Sequence, residues 1–243
     1  MIRESETDAP LVQARVGGVF YLVIIAAGFF SEGYVRGSLI VSRNADATAR
    51  NILHSELLYR LGGAAEFVTL SCDVAVALIL YNLLRPVNRS LALLAAFFRL
   101  VFSAVYATLS LAHFAPLLLL KGAGTAFTVA QLQALTMLSF KLHALGYNFS
   151  LVFFGIHCAL VGGLIAYSGI IPRLVGVLLM IAGACYLTNS FAILIVPAFA
   201  DTLFPYILLP GFAAELSLAV CLLVLGLNAS RWRHFANLQF DRA

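Results

Sequence analysis

Two long stretches without any charged residue most constrain how this chain can fold. Residues 142–172 and 174–200 contain no Asp, Glu, Lys or Arg. A helix needs about 20 predominantly apolar residues to cross the hydrocarbon core of a bilayer. Both stretches are long enough to do so, and they therefore predict membrane-spanning helices.

The same criterion predicts six transmembrane helices in total. Turn-forming and helix-breaking sequences separate them, as at residues 83–90 and 168–173. The expected fold class is all-α: a polytopic membrane helix bundle that forms a single integral membrane domain over residues 1–243. The spans are expected at about residues 14–33, 57–84, 90–117, 142–168, 174–197 and 205–228, followed by a C-terminal interfacial helix at 229–240.

The composition excludes several classes of protein. Hydrophobic residues make up 62% of the chain and charged residues 11%, and the mean hydropathy is +0.99. Too few polar side chains are present to cover a water-facing surface, which excludes a soluble enzyme, a disordered chain and a nucleic-acid-binding module. The expected partner is the lipid bilayer, no nucleic-acid partner is expected, and the oligomeric state stays open.

The basic residues between the spans predict the orientation. With six spans both termini lie on one side, and the segments of that side carry eight basic residues, against five in the longer loops of the other side. The positive-inside rule then predicts cytoplasmic termini, and we expect a multi-pass protein of the bacterial inner membrane. The eight are Arg3, Arg15, Arg85, Arg89, Arg173, Arg231, Arg233 and Arg242, and the five are Arg36, Arg43, Arg50, Lys121 and Lys141.

Two connecting segments have helical periodicity. Residues 45–60 predict an amphipathic helix that begins near Asp46 or Thr48 and runs on into the second span. Residues 128–141 are periodic but polar, which favours a short interfacial helix ahead of the fourth span. A seventh span at 128–141 is the alternative.

Five ionisable residues inside the predicted spans define a predicted intramembrane polar site. Each charged group at the centre of a bilayer costs about 2.5 to 3.5 kcal/mol, so such residues are functional candidates by default. Counted along each helix, four of them fall within a depth of roughly 6 Å and the glutamate of span two lies farther from the cytoplasmic side. The five are Glu66, Asp73, Arg99, His157 and Glu215.

The charges of these residues do not balance. Three carboxylates against one guanidinium leave a net charge of −2 if all are ionised. Because an isolated buried charge is costly, a carboxylate must be protonated, a histidine charged or a cation bound. We hypothesise that Asp73 pairs with Arg99, and that Glu66, Glu215 and His157 titrate or bind a ligand. The alternative is that the pair only fixes the register of two helices.

Four further polar residues are secondary candidates. Tyr106 and His113 share a helical stripe with Arg99, and His143 lies two heptads before His157. For His113 and His143 the favoured interpretation is an interfacial histidine rather than a ligand. Asn189 is expected to join helices by hydrogen bonding.

Local catalytic motifs are absent from the sequence. It contains no HExxH, GxSxG or GxxxxGK[ST] pattern, so recognised zinc-protease, serine-hydrolase and nucleotide-binding mechanisms have no support. A metal held by scattered histidines and carboxylates stays open. Neither a cofactor nor a catalytic residue is assigned.

Four stretches carry motifs of a known family: ARVGGVFYLVIIAAGFFSE, ATARNILHSELLYRLG, LLRPVNRSLALLAAFFRL and SGIIPRLVGVLLMIAGACYL. They resemble the bacterial membrane family catalogued as domain-of-unknown-function 4386, over about residues 14–228. The resemblance implies a helical membrane protein of about six spans and implies no activity. The family-like motifs contain Glu56, Arg60, Arg85, Pro86, Asn88, Arg99, Ser168, Pro172 and Arg173.

Two of these motifs, LLRPVNR and SGIIPR, fall on the predicted cytoplasmic side. They suggest a basic patch that meets anionic lipid headgroups or a cytoplasmic partner. Turn geometry and orientation of the chain are the alternative explanation for the same residues.

Three functional interpretations follow from the sequence. The first is a protein that handles or senses a small molecule, a proton or a cation through its intramembrane polar site. The second is an intramembrane enzyme acting on a lipid or a lipophilic substrate. The third is a non-catalytic assembly or helper subunit in which the polar groups only hold the helices together.

Overall fold

The computed structural model describes residues 2–122 and 126–240, with side chains for residues 9–122 and 126–238. The described residues form helices and contain no strand, which confirms the all-α fold class. The α-helices are α1 (Ile2–Gly28), α2 (Gly37–Leu39), α3 (Ala45–His54), α4 (Glu56–Leu84), α5 (Arg89–Gly122), α6 (Val129–Ser168), α7 (Arg173–Ile195), α8 (Pro197–Leu203), α9 (Leu209–Val220) and α10 (Ala229–Phe240). Two π-helical segments, Phe29–Arg36 and Cys221–Leu225, and a 3-10 turn, Tyr206–Leu208, extend the first and last spans.

Within the described ranges, six helical segments are long and apolar enough to cross a membrane, as predicted. Arg242, which the count of basic residues includes, lies outside the described residues. The C-terminal helix predicted at 229–240 is present as α10. The six segments are Ala9–Leu39, Glu56–Leu84, Arg89–Gly122, Val129–Ser168, Arg173–Ile195 and Tyr206–Leu225.

The expectation of a separate helix at residues 128–141 is wrong. Residues 129–141 form the beginning of α6, which continues without a break to Ser168. Two buried hydroxyls of this stretch are satisfied within the helix itself, since Thr136 and Ser139 donate to the carbonyls of Leu132 and Leu135 at 2.9 and 3.0 Å. The helix ends only where Gly169 adopts a φ of 62°.

The segment between the first two spans also differs from prediction. Helix α3 begins after Asn44, whose side chain accepts a hydrogen bond from the Ala47 amide at 2.9 Å. The N-cap is thus Asn44, two residues before Asp46 and four before Thr48. A break at Ser55 separates α3 from α4.

The first span is longer than predicted. The π-helical segment Phe29–Arg36 and α2 carry it to Leu39, so Arg36 lies within the span and not in the following loop. Only 11% of the Arg36 side chain is exposed. A π-helical turn widens the backbone, and such turns are frequent at functional sites.

The chain divides into two compact units, each built from discontinuous segments. Unit 1 comprises residues 1–22, 72–103 and 150–243, and unit 2 comprises residues 23–71 and 104–149. In unit 1, α6 and α7 approach closely at Gly162 and Gly176, where a Cβ on either residue would meet the backbone of the other helix. Unit 2 has a core of large buried side chains: Val35, Leu39, Ile52, Tyr59, Leu117 and Phe140.

Candidate functional site

The structure divides the predicted polar residues between the two units. Asp73, Arg99, His157 and Glu215 belong to unit 1. Glu66 belongs to unit 2, where it meets two of the secondary candidates. Glu66 and Asp73 lie on one helical stripe, but seven residues separate them by roughly 10 Å along the axis, so they reach different partners.

In unit 2, Glu66 of α4, His113 of α5 and His143 of α6 form a buried group, called here the Glu66 cluster. The Oε1 atom of Glu66 lies 2.9 Å from Nδ1 of His113 and 3.4 Å from Nε2 of His143. All three side chains are at most 1% exposed. One oxygen and two ring nitrogens therefore lie within 4.8 Å of one another. Both histidines are thus buried against a carboxylate.

The surroundings of His113 determine where its proton is. Its Nε2 lies 3.2 Å from the backbone carbonyl oxygen of Tyr59, an acceptor, so Nε2 must carry hydrogen. In the neutral ring Nδ1 then presents a lone pair to the Glu66 carboxylate at 2.9 Å. Two electron-rich atoms at this distance need a cation between or beside them, either a proton or a metal ion.

The surroundings of His143 are different. Arg36 donates from Nη1 to Nδ1 of His143 at 3.2 Å, and a guanidinium can only donate. The proton of a neutral His143 is consequently on Nε2, which faces Glu66. Arg36 is held by an ion pair with Glu32 at 3.0 Å. Tyr106 packs its ring edge-on against His143 at 6.0 Å between centroids.

Hydroxyl groups orient the Glu66 carboxylate. Ser110 donates to Oε2 at 2.9 Å, and Ser31 donates to Oε1 at 3.4 Å. Ser31 and Arg36 both come from the π-helical segment of the first span. Neither residue was predicted to belong to the site, because a π-helical turn leaves no pattern in the apolar periodicity. One feature of the sequence could have indicated them: a serine, an acidic residue and an arginine follow an apolar run within Ser31–Arg36.

In unit 1, the predicted pair of Asp73 and Arg99 is present. Arg99 donates from Nε to Oδ1 of Asp73 at 2.9 Å, and its Nη2 donates to the same oxygen. Its Nη1 lies 3.1 Å from both the Tyr21 hydroxyl and Nε2 of His157. These four residues are called here the Arg99 network, and the Arg99 side chain is fully buried within it.

The ring of His157 is fully engaged in this network. Its Nδ1 donates to the carbonyl oxygen of Ala95 at 2.8 Å, and its Nε2 accepts from Arg99. Neither nitrogen is left to bind a ligand. The described contacts thus give His157 the geometry of a residue that holds Arg99 in place.

The remaining candidates lie in unit 1 without joining the Arg99 network by a described hydrogen bond. Glu215 accepts a hydrogen bond from the Tyr186 hydroxyl at 2.5 Å, between α9 and α7. Gly211 makes room for this hydroxyl, because a Cβ there would overlap the Tyr186 ring. Asn189 is buried on α7.

The Glu66 cluster has the donor set of a transition-metal site. Imidazole nitrogens and a carboxylate oxygen are ligands of zinc, and three protein ligands leave a coordination position for water or substrate. Donation of His113 Nε2–H to a backbone carbonyl is the kind of outer contact that orients a metal-binding histidine. In the Arg99 network both nitrogens of its histidine, His157, are engaged in described hydrogen bonds.

Comparison with known proteins places the chain in a family. Over 123 residues it is 32% identical to an uncharacterized protein of Archaeoglobus fulgidus, a match that covers 51% of this chain and 61% of that protein. The chain thus spans about three fifths of the length of that relative. No solved structure matches it. A family model described as "Domain of unknown function (DUF4386)" matches residues 16–226, most of the chain, and the protein therefore belongs to the DUF4386 family.

Proposed function

We propose that this multi-pass membrane protein binds a divalent transition-metal ion of the zinc class at the Glu66 cluster. The observation that carries the proposal is the convergence of Glu66 Oε1, His113 Nδ1 and His143 Nε2, all buried and within 4.8 Å of one another. Apart from the Glu66 carboxylate, neither of these two nitrogens has a hydrogen-bond partner among the described residues. A metal ion would supply the positive charge that the facing lone pairs of Glu66 and His113 require, and it would bind His143 Nε2 in place of the proton on that nitrogen.

The Ser110 hydroxyl supports this assignment by occupying the other carboxylate oxygen. With Oε2 accepting from Ser110 at 2.9 Å, Oε1 is the oxygen that faces both imidazoles. A carboxylate fixed in this way presents one oxygen to an ion. The sequence predicted that a cation binds among five polar residues. We now assign that cation to the three residues of the Glu66 cluster in unit 2.

Replacing His113 or His143 by Ala is expected to abolish metal binding. The protein, purified in detergent and stripped with chelator, is titrated with ZnCl2 or MgCl2, and metal is counted by native mass spectrometry. We expect about one equivalent of zinc on the unmodified protein. At a zinc concentration 100 times the Kd, binding stabilises the fold by about 2.7 kcal/mol. His54→Ala is the matched control, because His54 is exposed in the same unit.

Three further variants keep the result interpretable. Glu66→Gln preserves the shape of the side chain and removes its charge, so it should lose zinc while eluting as a folded protein. Arg36→Gln removes a positive charge from beside His143 and frees Nδ1 for a proton, so it should lower the Kd for zinc. Arg36→Lys keeps the charge and should not lower it. Failure of the unmodified protein to bind or be stabilised by zinc would overturn the proposal.

An intramembrane enzyme is the second candidate function. Three protein ligands with a free coordination position are the arrangement of catalytic zinc sites, where the metal activates a water molecule. Zinc-dependent release of a fatty acid from lipid added to the purified protein, lost in His113→Ala, would support this candidate. Stoichiometric zinc without turnover would leave the protein as a metal-binding or metal-sensing component.

We also infer that the chain forms a single integral membrane domain of the bacterial inner membrane with cytoplasmic termini. The distribution of basic residues predicted from the sequence supports this orientation. The longer first span does not alter it, because Arg36 stays at the far end of that span. A green fluorescent protein fused after residue 243 should fluoresce, and alkaline phosphatase at the same point should be inactive. Active phosphatase would reverse the orientation.

A further inference from the structure

Unit 1 contains a cavity of about 510 Å³, and its lining residues include no member of the Arg99 network. Its walls come from the turn between α6 and α7, from the bend after the last span and from the first turn of α10. Arg173 and Arg231 line it, and no carboxylate is among its lining residues in the described ranges. A volume of this size is typical of small-ligand sites.

The two guanidinium groups converge on one point of the backbone. A Cβ built on Gly169 would meet Nη1 of Arg231 and lie 3.5 Å from Nε of Arg173. Gly169 has a φ of 62°, a conformation that favours glycine and leaves this space free. Neither arginine forms an ion pair with a described side chain. Two positive charges thus face one cavity without a counter-charge.

Hydrogen bonds join the backbone segments that line the cavity. The Asn228 amide donates to the Ile170 carbonyl at 2.8 Å, and Arg231 Nη1 donates to the Ser168 carbonyl at 3.2 Å. The Asn228 side chain accepts from the Arg231 amide at 3.1 Å and so caps α10. The position of Arg231 relative to Gly169 is therefore fixed from both sides.

The surroundings of the cavity are those of a membrane interface. The Trp232 indole donates to the Leu83 carbonyl at 3.1 Å, and the rings of Tyr167 and Phe235 lie 6.1 Å apart. Aromatic side chains of this kind are enriched at the level of lipid headgroups. Leu225, on the cavity wall, is 62% exposed. A positively charged surface and an apolar surface thus lie side by side, which suits a ligand with a charged head and an apolar tail.

We propose that this cavity binds a phosphate group, and that an anionic glycerophospholipid supplies it. Guanidinium groups bind phosphate oxygens through paired, charge-assisted hydrogen bonds. The apolar wall at Leu225 accommodates the glycerol and acyl portion of the lipid. The SGIIPR motif predicted a basic patch that meets lipid headgroups. The proposal places the headgroup in one cavity, where Arg173 of the motif supplies one positive charge and Arg231 of α10 supplies the second.

Lipid binding to the purified full-length protein tests the proposal. Phosphatidylglycerol or phosphatidylcholine is added in detergent, and retained lipid is counted by native mass spectrometry. We expect retention of phosphatidylglycerol over phosphatidylcholine. Affinity should fall about fivefold for Arg173→Gln or Arg231→Gln and about thirtyfold for the double variant. Arg233→Gln, on the same helix but not lining the cavity, should bind as the unmodified protein does.

Each result supports or overturns a defined part of the proposal. Arg173 has no described hydrogen bond that holds the fold, so its single variant reports on binding even if Arg231→Gln impairs folding. Unchanged selectivity for phosphatidylglycerol in Arg173→Gln and in the folded double variant would overturn the site. Thermal stabilisation by inorganic phosphate alone, lost in Arg173→Gln, with no preference for phosphatidylglycerol, would keep the phosphate site and overturn the lipid as its source.

Discussion

Asp73→Asn is expected to lower the free energy of unfolding by about 3 to 5 kcal/mol, because it leaves a buried guanidinium without its counter-charge. Arg99 is fully buried. Among its described hydrogen-bond partners in the network, Asp73 is the one with a carboxylate. Tyr21 and His157 accept hydrogen bonds from Arg99 but supply no charge. Thermal unfolding of the detergent-purified protein, followed by the loss of its monodisperse elution, measures the effect.

A double variant distinguishes pairing from a general need for both residues. Replacing Asp73 by Leu together with Arg99 by Met removes both charges at once, and apolar replacements of buried ion pairs are often neutral or stabilising. We expect the double variant to recover most of the stability that Asp73→Asn loses. Asp46→Asn is the control, since Asp46 and Arg50 form an exposed pair that contributes at most about 1 kcal/mol. A double variant as unstable as the single one would contradict simple pairing.

Gly162→Ala and Gly163→Ala are expected to shift stability in opposite directions. A Cβ at Gly162 would lie 2.5 Å from the Gly176 carbonyl oxygen and 2.9 Å from the Met180 backbone nitrogen, so α6 and α7 must separate. Overpacking of this kind costs about 1 to 3 kcal/mol. A Cβ at Gly163 meets nothing within 4 Å, and alanine is a better helix former than glycine by about 1 kcal/mol.

The two neighbouring glycines thus form a matched pair within one helix. The melting temperatures of the two variants, measured side by side in the same detergent, give the comparison. Equal melting temperatures would show that the two helices adjust their spacing without cost. That result would remove close backbone approach as the feature that holds α6 against α7.

The number and composition of the spans could be read from the sequence because they are local properties. A run of about 20 apolar residues forms a helix in a bilayer whatever its neighbours are. Helix ends were less well predicted. At residues 128–141 polar side chains indicated a separate helix, yet Thr136 and Ser139 satisfy their hydroxyls on the same helix, and nothing interrupts α6 before Gly169.

Only part of the candidate site could be predicted from the sequence. The pairing of Asp73 with Arg99 followed from charge and depth, because a buried acid and a buried base at one level have few other partners. Glu66, which was predicted in the same site, contacts His113 and His143. Its own depth, farther from the predicted cytoplasmic side, was the signal that it belonged with His113 and His143.

Sequence alone thus determined the class of protein, its six spans and which residues were costly to bury. Tertiary structure decided the partner of each polar group, because a partner depends on which helices are neighbours and how each is rotated about its axis. It brought Ser31 and Arg36 to the Glu66 cluster through a π-helical turn, and Arg231 to Arg173 through the folding of α10 against the turn after α6. Neither arrangement leaves a periodic pattern in the sequence, since both arise from backbone geometry and from contacts between residues far apart in the chain.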